Sequence, residues 1–352
     1  MRPSTWGIEL WTPGGVQLAD LSGRAKGRRI KETRNESDDI SWNLDLNELK
    51  RYCKLINTTP NQLIQDGITE VRVKKGADYL GGGTIVHSQR VRNSQQEVIS
   101  ISARGFFDLF TDRYTAPLRT FTNVERTTIP WTLINESQSQ GANWDFGIRQ
   151  GVTPSALGTY SRQYQNVRIK DAIQDLTKLQ TAFDVKFMPD KTFNVYSALG
   201  TQRPDIVFEY PGNCKELTAD RDATGLANLL YLLGSGIGQT ALLQLNLGDA
   251  NAQIDYKVRE KPLILSDILD SGTLNDYGLS YLAAWARTFE IPKVKYDGSR
   301  GPSVTDYGVG DYVNVLETDD TDTQISGLFR VESREIVIDD NDNEDVTVEF
   351  GR

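Results

Sequence analysis

The chain has 352 residues, which is long enough for two or three domains with separate cores. With 38% hydrophobic and 25% charged residues, its composition is that of a globular protein. No run approaches the roughly 20 apolar residues of a membrane-spanning helix. The N-terminal stretch MRPSTWGIELWTPGG lacks the apolar core of a secretory signal, so composition argues against a membrane span and a Sec route.

The formal net charge of −9 is unevenly distributed. Residues 301–352 hold 14 acidic and three basic side chains, a charge of −11, so the other 300 residues carry +2. The opposite sign is concentrated in SGRAKGRRIKETR at 22–34. Nucleic-acid binders usually spread positive charge over a whole domain, and this chain does not. We therefore interpret the basic stretch as a solvated loop.

Strand patterns dominate residues 1–116, which we predict to form a first β unit. GIELWT and GVQLADL flank a Pro-Gly-Gly turn and predict a hairpin. Residues 70–105 alternate through three strands, with turns at KKGAD and RNSQQ. FFDLFTDRY predicts a short apolar helix that closes the unit. A longer helix, DLNELKRYCKLIN, places four side chains on one face: Leu46, Leu49, Cys53 and Ile56.

Residues 117–200 predict a compact α+β insert. TTIPWTLINESQSQ predicts a helix with Pro130 near its start, where the missing N–H costs little. DVKFMPDKTFNVY predicts a hairpin that turns at PDK. The clearest helix is NVRIKDAIQDLTKLQTAF, and its apolar stripe consists of Ile169, Ala172, Ile173, Leu176 and Leu179.

Residues 201–352 predict a second β-rich unit with one long helix at about 273–289. Predicted strands are DIVFEY, KELTADRD, ANLLYLLGSG, TALLQLNL, PKVKYDG, DYVNVLE, SGLFRVESREIVID and EDVTVEF. No repeat with a period of 20–50 residues is visible. The predicted fold class is mainly β with an α+β insert.

The candidate chemistry is sparse. His87 is the one histidine, and it lies on an alternating strand with no nucleophile-elbow motif near it, so we expect no catalytic role. Together with Cys53 and Cys214 it does not supply the spacing of a zinc site. We expect the two cysteines to be buried free thiols in a protein made in a reducing cytoplasm. The sequence predicts no catalytic, cofactor-binding or metal-binding residue.

Two other patterns imitate functional motifs. GSGIGQ at 234–239 precedes a strand-like run rather than the helix that a phosphate loop requires, so we predict a Gly-rich turn. The acidic cluster near the C-terminus lacks the glycine of an EF-hand loop and lies between two alternating runs. It predicts a hairpin tip, with weak cation binding as the alternative, at Asp339, Asp340, Asp342, Glu344 and Asp345.

The order of several degenerate segments resembles one protein family. ARGFFDLFTDR closes the first unit, and WTLINESQSQGANWDFGIRQG combines a helix with a Trp-Asp-x-Gly-Ile strand. DAIQDLTKLQTAFDVKFMPDKTFNVY and GLANLLYLLGSG follow, then the acidic segment from GVGDYVNVLE to the end. Over nearly its whole length the chain resembles the baseplate-hub, or tail-tip, minor tail proteins of long non-contractile-tailed phages, which are related in fold to the hubs of contractile-tailed phages.

The resemblance implies two β-barrel-like hub units with a peripheral α+β domain. It also implies a homotrimeric ring at the tail tip of the virion, assembled in the host cytoplasm. The implied partners are the distal tail protein, the tape measure protein and tail fibre or receptor-binding proteins, while exiting DNA passes through the channel without specific binding. Because larger relatives append enzymatic domains, the end of this chain leads us to expect no enzyme activity on it.

The charge pattern adds one expectation about the channel. A wall that repels phosphates would let DNA slide, so we expect part of the acidic segment, such as Asp319, Asp320 and Asp322, near the channel, with solvated loop tips as the alternative. Two other classes remain open. A cell-wall or polysaccharide hydrolase would need two carboxylates in a cleft, and a carbohydrate-binding module would expose aromatic side chains on one face.

Overall fold

The protein is described by a computed structural model for residues 5–92, 97–141, 143–155, 157–179, 183–235, 244–318 and 325–351. The fold is mainly β with an α+β insert, as predicted. Two β-barrel-like units contribute to one 13-stranded sheet. In these ranges no helix combines the length and the apolar character needed to cross a bilayer.

The first unit contains seven strands in the spatial order β3-β4-β7-β6-β5-β1-β2. The predicted hairpin is confirmed, since β1 and β2 pair antiparallel. Most of the predicted RNSQQ turn lies outside the described residues. The elements are β1 (Trp6–Trp11), β2 (Gln17–Asp20), β3 (Lys26–Thr33), β4 (Asp39–Asp45), α1 (Leu46–Leu55), α2 (Pro60–Leu63), β5 (Glu70–Lys75), β6 (Asp78–Arg92) and β7 (Glu97–Gly105).

Helix α1 begins where Asp45 caps it. The Asp45 carboxylate accepts hydrogen bonds from the first free backbone N–H groups of the helix, which would otherwise lack partners. Its predicted apolar face is buried at Leu46, Leu49 and Cys53, but Ile56 follows the last turn and is exposed. The helix therefore covers one end of the first unit.

The insert follows a 3-10 helix at Phe106–Phe110, which is the predicted short apolar helix. Its hairpin is confirmed by the antiparallel pairing of β11 with β12. The predicted Trp-Asp-x-Gly-Ile strand is wrong, because residues 145–148 are irregular and only the next two residues pair. The elements are β8 (Arg119–Glu125), a 3-10 turn (Arg126–Thr128), α3 (Ile129–Gln138), β9 (Arg149–Gln150), β10 (Thr159–Tyr164), α4 (Ile169–Leu176), β11 (Asp184–Phe187) and β12 (Thr192–Tyr196).

A separate hydrophobic cluster fills the insert. All five residues of the predicted α4 stripe are buried, although the helix itself ends at Leu176, earlier than predicted. They pack with aromatic side chains from the strands and the 3-10 helix, among them Phe107, Phe121 and Phe193. The insert therefore has a core of its own.

The remaining residues complete the large sheet and add a small lobe. The long predicted helix is present as α6, shifted slightly toward the N-terminus, and part of the predicted TALLQLNL strand lies outside the described ranges. The elements are β13 (Gln202–Tyr210), β14 (Cys214–Asp220), β15 (Leu229–Leu233), β16 (Gln244–Gly248), α5 (Ala250–Tyr256), β17 (Glu260–Ile264), α6 (Ser271–Trp285), β18 (Ile291–Asp297), β19 (Tyr312–Glu317), β20 (Ser326–Ile338) and β21 (Glu344–Gly351).

The small lobe, residues 227–286, has its own cluster of buried side chains. A three-stranded sheet, β16-β15-β17, packs under α6. Gly278 allows this close approach, because a Cβ there would lie 2.4 Å from Leu232 and 2.5 Å from Leu247. In the sequence, the lobe lies between β14 and β18, two strands of the large sheet that pair with each other.

The two β units join through the pairing of β3 with β20. The expectation that the basic stretch is a solvated loop is therefore wrong, because β3 lies between β20 and β4 inside the sheet. Arg28, Ile30 and Glu32 alternate along its buried face. The sequence obscured this strand because charged residues occupy positions that an inward-facing strand usually gives to apolar residues.

We predict that Ile173→Asp unfolds the insert. Ile173 is fully buried in the α4 stripe, and a carboxylate without a partner in an apolar core destabilises it strongly. Limited proteolysis should cut the insert in the variant, and near-ultraviolet circular dichroism should lose the signal of its aromatic cluster. The matched control is Leu118→Asp, since Leu118 is 60% exposed in the same unit. A folded Ile173→Asp protein would show that the stripe is not a core.

Candidate functional site: ionic joints between the units

Charged side chains are concentrated where segments distant in the sequence meet. We distinguish three such places and name each by what it joins. The insert joint comprises Arg34, Asn35, Asp184 and Arg330; the sheet joint comprises Glu32, Asp38, Lys186 and Arg334; the hairpin joint comprises Trp6, Arg28, Lys75, Asp342 and Glu344.

The insert joint is organised around Asp184, the first residue of β11. Its two carboxylate oxygens lie 2.6 Å from Arg34 Nη1 and 2.6 Å from Arg330 Nη2. Asn35 Nδ2 and the backbone N–H of Leu199 each donate a hydrogen bond of 2.8 Å to the same carboxylate. One buried carboxylate thus connects the insert to both β units, since Arg34 follows β3 and Arg330 lies on β20.

The electrostatics of Asp184 follow from this arrangement. Burial alone would raise its pKa, but the charge of Arg34, the N–H of Leu199 and the charge of Arg330 together lower it below the usual value. The carboxylate is therefore ionised in the folded protein. Its contribution to stability is present above the pKa of an unfolded aspartate and is lost as the pH falls through the lower, folded value.

The sheet joint lies inside the pairing of β3 with β20. Glu32 and Arg334 form a buried ion pair, and Lys186 from the insert approaches the same carboxylate at 3.7 Å. Arg334 Nη1 also donates to the carbonyl oxygens of Val304 at 2.5 Å and Tyr307 at 2.6 Å. Burial would raise the pKa of Glu32, but the charges of Arg334 and Lys186 outweigh it and lower the value.

The pKa of Asp38 is shifted in the opposite direction from that of Glu32. It faces the same cluster, but burial and the negative charge of Glu32 raise its pKa to about 8, while Lys186 offsets only part of this effect. Asp38 and Glu32 line a small, partly open pocket with Phe106 and Val185 at the boundary between the first unit and the insert. At neutral pH this boundary therefore holds one ionised carboxylate and one largely protonated carboxyl group.

The hairpin joint involves the acidic cluster near the C-terminus. The predicted hairpin tip is confirmed, because β20 and β21 pair antiparallel around it, with Asp342 at φ +64°. The tip contacts the first unit: Arg28 Nη2 lies 2.6 Å from Asp342 and donates to the Asp339 carbonyl at 2.8 Å. Glu344 accepts from Trp6 Nε1 at 2.9 Å and pairs with Lys75 at 2.6 Å.

Part of the acidic segment is neutralised in the same way. Six of its carboxylates form ion pairs with basic side chains from elsewhere in the chain. These are Glu332, Glu335, Asp342, Glu344, Asp345 and Glu349. Three of the partners, Arg28, Arg29 and Arg34, belong to the basic stretch. The two charge extremes of the sequence therefore pair with each other across the fold.

A further buried arginine connects the insert to the small lobe. Arg162 on β10 is fully buried; its Nε donates to Asp267 of the lobe at 2.9 Å and its Nη2 to Asp175 of α4 at 2.9 Å. The backbone N–H of Gln163 donates to the Asp267 carbonyl at 3.0 Å. This contact fixes the lobe against the insert.

The residues that the sequence suggested for chemistry do not come together. His87 is exposed on β6, and its ring forms no hydrogen bond or ion pair with another described residue. Cys53 and Cys214 are buried free thiols, as expected, and burial raises the pKa of Cys214 to about 12. Among the residues that the structure covers, no group of three or more His, Cys, Asp or Glu side chains could hold a metal ion.

Two sequence expectations cannot be located in the fold. Most of GSGIGQ falls outside the described residues, and so do Asp319, Asp320 and Asp322. The sequence analysis did not predict the three ionic joints, although the charge distribution contains one indication of them. The opposite charges of 22–34 and 301–352 indicate that the two segments could meet.

Comparison of sequences identifies no relative: no family model matches the chain, and no curated protein is significantly similar to it. Solved structures do share its fold. A tail protein from Neisseria meningitidis MC58 superposes with a TM-score of 0.67 at 13% identity, over 99% of this chain and 96% of that one. The 43 kDa tail protein of prophage MuSo2 from Shewanella oneidensis gives 0.64 at 13% identity, over 98% of both chains.

A third structure extends the likeness to secretion systems. It is an E. coli component of the type VI secretion system, described as structurally similar to the bacteriophage T4 tail proteins gp27 and gp5. Its TM-score is 0.53 at 10% identity, over 93% of this chain and 73% of that one. The chain therefore has the fold of phage tail proteins and of baseplate hub-like proteins, which confirms the predicted resemblance at the level of the fold.

We predict that Asp184→Ala destabilises the protein by about 3–5 kcal/mol, because it leaves two arginines at the insert joint without their shared carboxylate. The measurement is the free energy of unfolding in urea. Asp205→Ala is the control, since the Arg203–Asp205 pair is exposed and exposed pairs contribute little. Equal effects of the two substitutions would contradict a structural role for the insert joint.

We predict that Asp38→Asn raises the thermal midpoint at pH 7–8 and leaves it unchanged near pH 4. A folded-state pKa of about 8 means that ionising Asp38 costs stability as the pH rises from the unfolded value toward 8. Asparagine is neutral at every pH and avoids this cost, which is at most about 1.4 kcal/mol for each unit of pKa shift.

Thermal melts from pH 4 to pH 8.5 measure the effect, with Asp171→Asn as the control because Asp171 is exposed on α4. The difference between Asp38→Asn and the parent chain should grow with pH, whereas the control should follow the parent. A constant difference across the range would show that Asp38 is ionised normally in the folded state.

Proposed function

We propose that the protein is a structural virion protein, the baseplate hub at the tip of a long non-contractile phage tail. The observation that carries this proposal is the likeness to phage tail proteins over nearly the whole chain. The match covers both β units, the insert and the small lobe together, so it concerns the complete arrangement rather than one common domain.

The ionic joints support a structural role. A tail component must keep its units in fixed relative positions, and buried ion pairs with several hydrogen bonds have restrictive geometry. The insert joint places three segments around one carboxylate, and the sheet joint lies within a continuous ladder of strands. Contacts of this kind are typical of a structural protein with units in fixed relative positions.

The proposed assembly is a homotrimeric ring of six β-barrel-like units. In this proposal the ring joins the distal tail protein to the tip, contacts the tape measure protein and carries tail fibre or receptor-binding proteins. Exiting DNA passes through the ring without specific binding. The protein is made in the host cytoplasm and resides at the tail tip.

The proposed role is not enzymatic. The isolated position of His87 supports this, because hydrolysis by a Ser-His or Cys-His mechanism needs hydrogen-bonded partners around the imidazole. The carboxylates with strongly altered surroundings, Glu32, Asp38 and Asp184, lie at internal joints with arginine or lysine neighbours. Their arrangement supports a structural role.

In the proposed ring, only a few residues of the acidic segment line the channel and repel DNA. Because six carboxylates of the acidic segment are paired within the chain, the charge that could repel DNA is smaller than the sequence indicates. In this proposal, the residues near the channel are Asp319, Asp320 and Asp322.

The test is the mass and shape of the assembly. Native mass spectrometry of the purified chain should give a particle of three times 39.4 kDa, and electron microscopy should show a ring with a central channel. In intact tails, antibodies raised against the protein should label the tip. A chain that stays monomeric in solution and is absent from tails would overturn the proposed function.

A further inference from the structure

Two strands of the large sheet, β6 and β14, extend past the neighbouring strands that support the rest of the sheet. Strand β6 pairs with β5 only as far as Thr84, but it continues to Arg92 with β7 as its regular ladder partner. From Val86 to Arg92 the side chains on both of its faces are exposed or half-buried. A strand segment without an apolar face is poorly stabilised by its own chain.

The open edge of this segment has a defined orientation. The Ser88 N–H points away from β7, since it donates to Asp66 Oδ2 at 3.2 Å, so the open part of the edge begins after Ser88. In an antiparallel ladder the backbone groups alternate in direction, so those of Arg90 and Arg92 also point away from β7. Among the described residues, none on that side forms a backbone hydrogen bond with them.

Strand β14 ends the same sheet on its opposite side. Its ladder partner is β18, and from Lys215 to Asp220 its side chains are exposed apart from the half-buried Leu217. The last pairs, Ala219 with Pro292 and Asp220 with Ile291, extend past the point where β21 stops supporting β18 at Lys293. At this end of the sheet, therefore, β14 has one edge without a ladder partner, and its side chains are exposed on both faces of the sheet.

One face of each edge carries charge, and the two faces have opposite signs; Lys215 lies on the other face of β14, where it pairs with Asp345 at 2.8 Å. On β14, Glu216 and Asp220 point to the same face, and neither forms an ion pair with another described residue. On β6, Arg90 and Arg92 share a face; Arg90 bonds the neutral Asn61, and Arg92 reaches Glu97 at 3.3 Å while 60% exposed. Opposite charges on facing strands favour their pairing.

We propose that the β6 edge of one copy pairs antiparallel with the β14 edge of a second copy. This inference rests on the proposed homotrimer and names the surface that closes it. Because the two edges lie on different units of one chain, the contact is head-to-tail, and head-to-tail contacts generate closed rings when the rotation between copies allows it. Pairing would also remove two exposed edges that otherwise favour aggregation.

The experiment reverses the charges of each edge. One variant carries Arg90→Glu and Arg92→Glu, the second carries Glu216→Lys and Asp220→Lys, and the third combines all four substitutions. The control, Arg149→Glu with Asp190→Lys, reverses an exposed ion pair in the insert. Circular dichroism and thermal midpoints establish that each variant folds.

Each double variant should associate at least ten-fold more weakly than the parent chain at low salt, as measured by the trimer fraction against concentration. The four-substitution variant should recover most of the affinity, and the control should match the parent. Hydrogen exchange should show protection of 86–92 and 215–220 in the trimer of the parent chain.

The outcomes separate the two proposals. If the parent chain is trimeric while neither double variant weakens association and neither edge is protected, the edge pairing is wrong and the hub function stands. Weakening without recovery in the combined variant would also overturn the pairing, because it would show that the charges act on different partners. A parent chain that never trimerises would overturn both.

Discussion

The antiparallel pairing of β3 with β20 is the contact on which the rest of the structure depends. It runs from the pair Arg28–Ile338 to the pair Thr33–Ser333 and converts two β units into one sheet. Its neighbouring strands then follow in order on both sides. Without this ladder, the insert joint could not form, because Arg34 and Arg330 approach Asp184 from the two strands that the ladder aligns.

The charges along this ladder explain how the pairing is specified. Glu32 and Arg334 are almost fully buried, and their pairing is favourable only when the strands are in one register. A slip by one residue would turn the side chains of one strand to the opposite face of the sheet. Glu32 and Arg334 would then no longer face each other, and the charge left on the buried face would lack its partner, which is strongly unfavourable. An apolar pair at these positions would tolerate alternative registers more readily. The buried ions therefore favour one register of the two strands.

The same logic applies to the contacts of the insert and the small lobe. Each has its own hydrophobic cluster, and each is fixed to its neighbours by a buried charged group, Asp184 for the insert and Arg162 for the lobe. Tyr277 packs against both clusters and adds an apolar contact between them. Packing stabilises each unit separately, while polar contacts of fixed geometry determine how the units are oriented.

This division accounts for what the sequence could and could not predict. Short-range patterns depend on residues that are close in the chain, so periodicity predicted the α4 stripe, and alternation together with turn residues predicted the β11–β12 hairpin and the acidic tip between β20 and β21. Those elements are present in the structure. The order of the segments also led to the correct fold class and to the likeness with tail proteins.

The sequence by itself determined the local elements and the presence of two opposite charge extremes, because both are properties of neighbouring residues. Only the tertiary structure decided that the basic stretch is a central strand and that its arginines neutralise the acidic segment. The physical reason is that a charged residue is buried only where a distant partner and its hydrogen bonds compensate the loss of water. Arg28 and Asp342 are separated by 314 residues, so no local pattern could show that they meet.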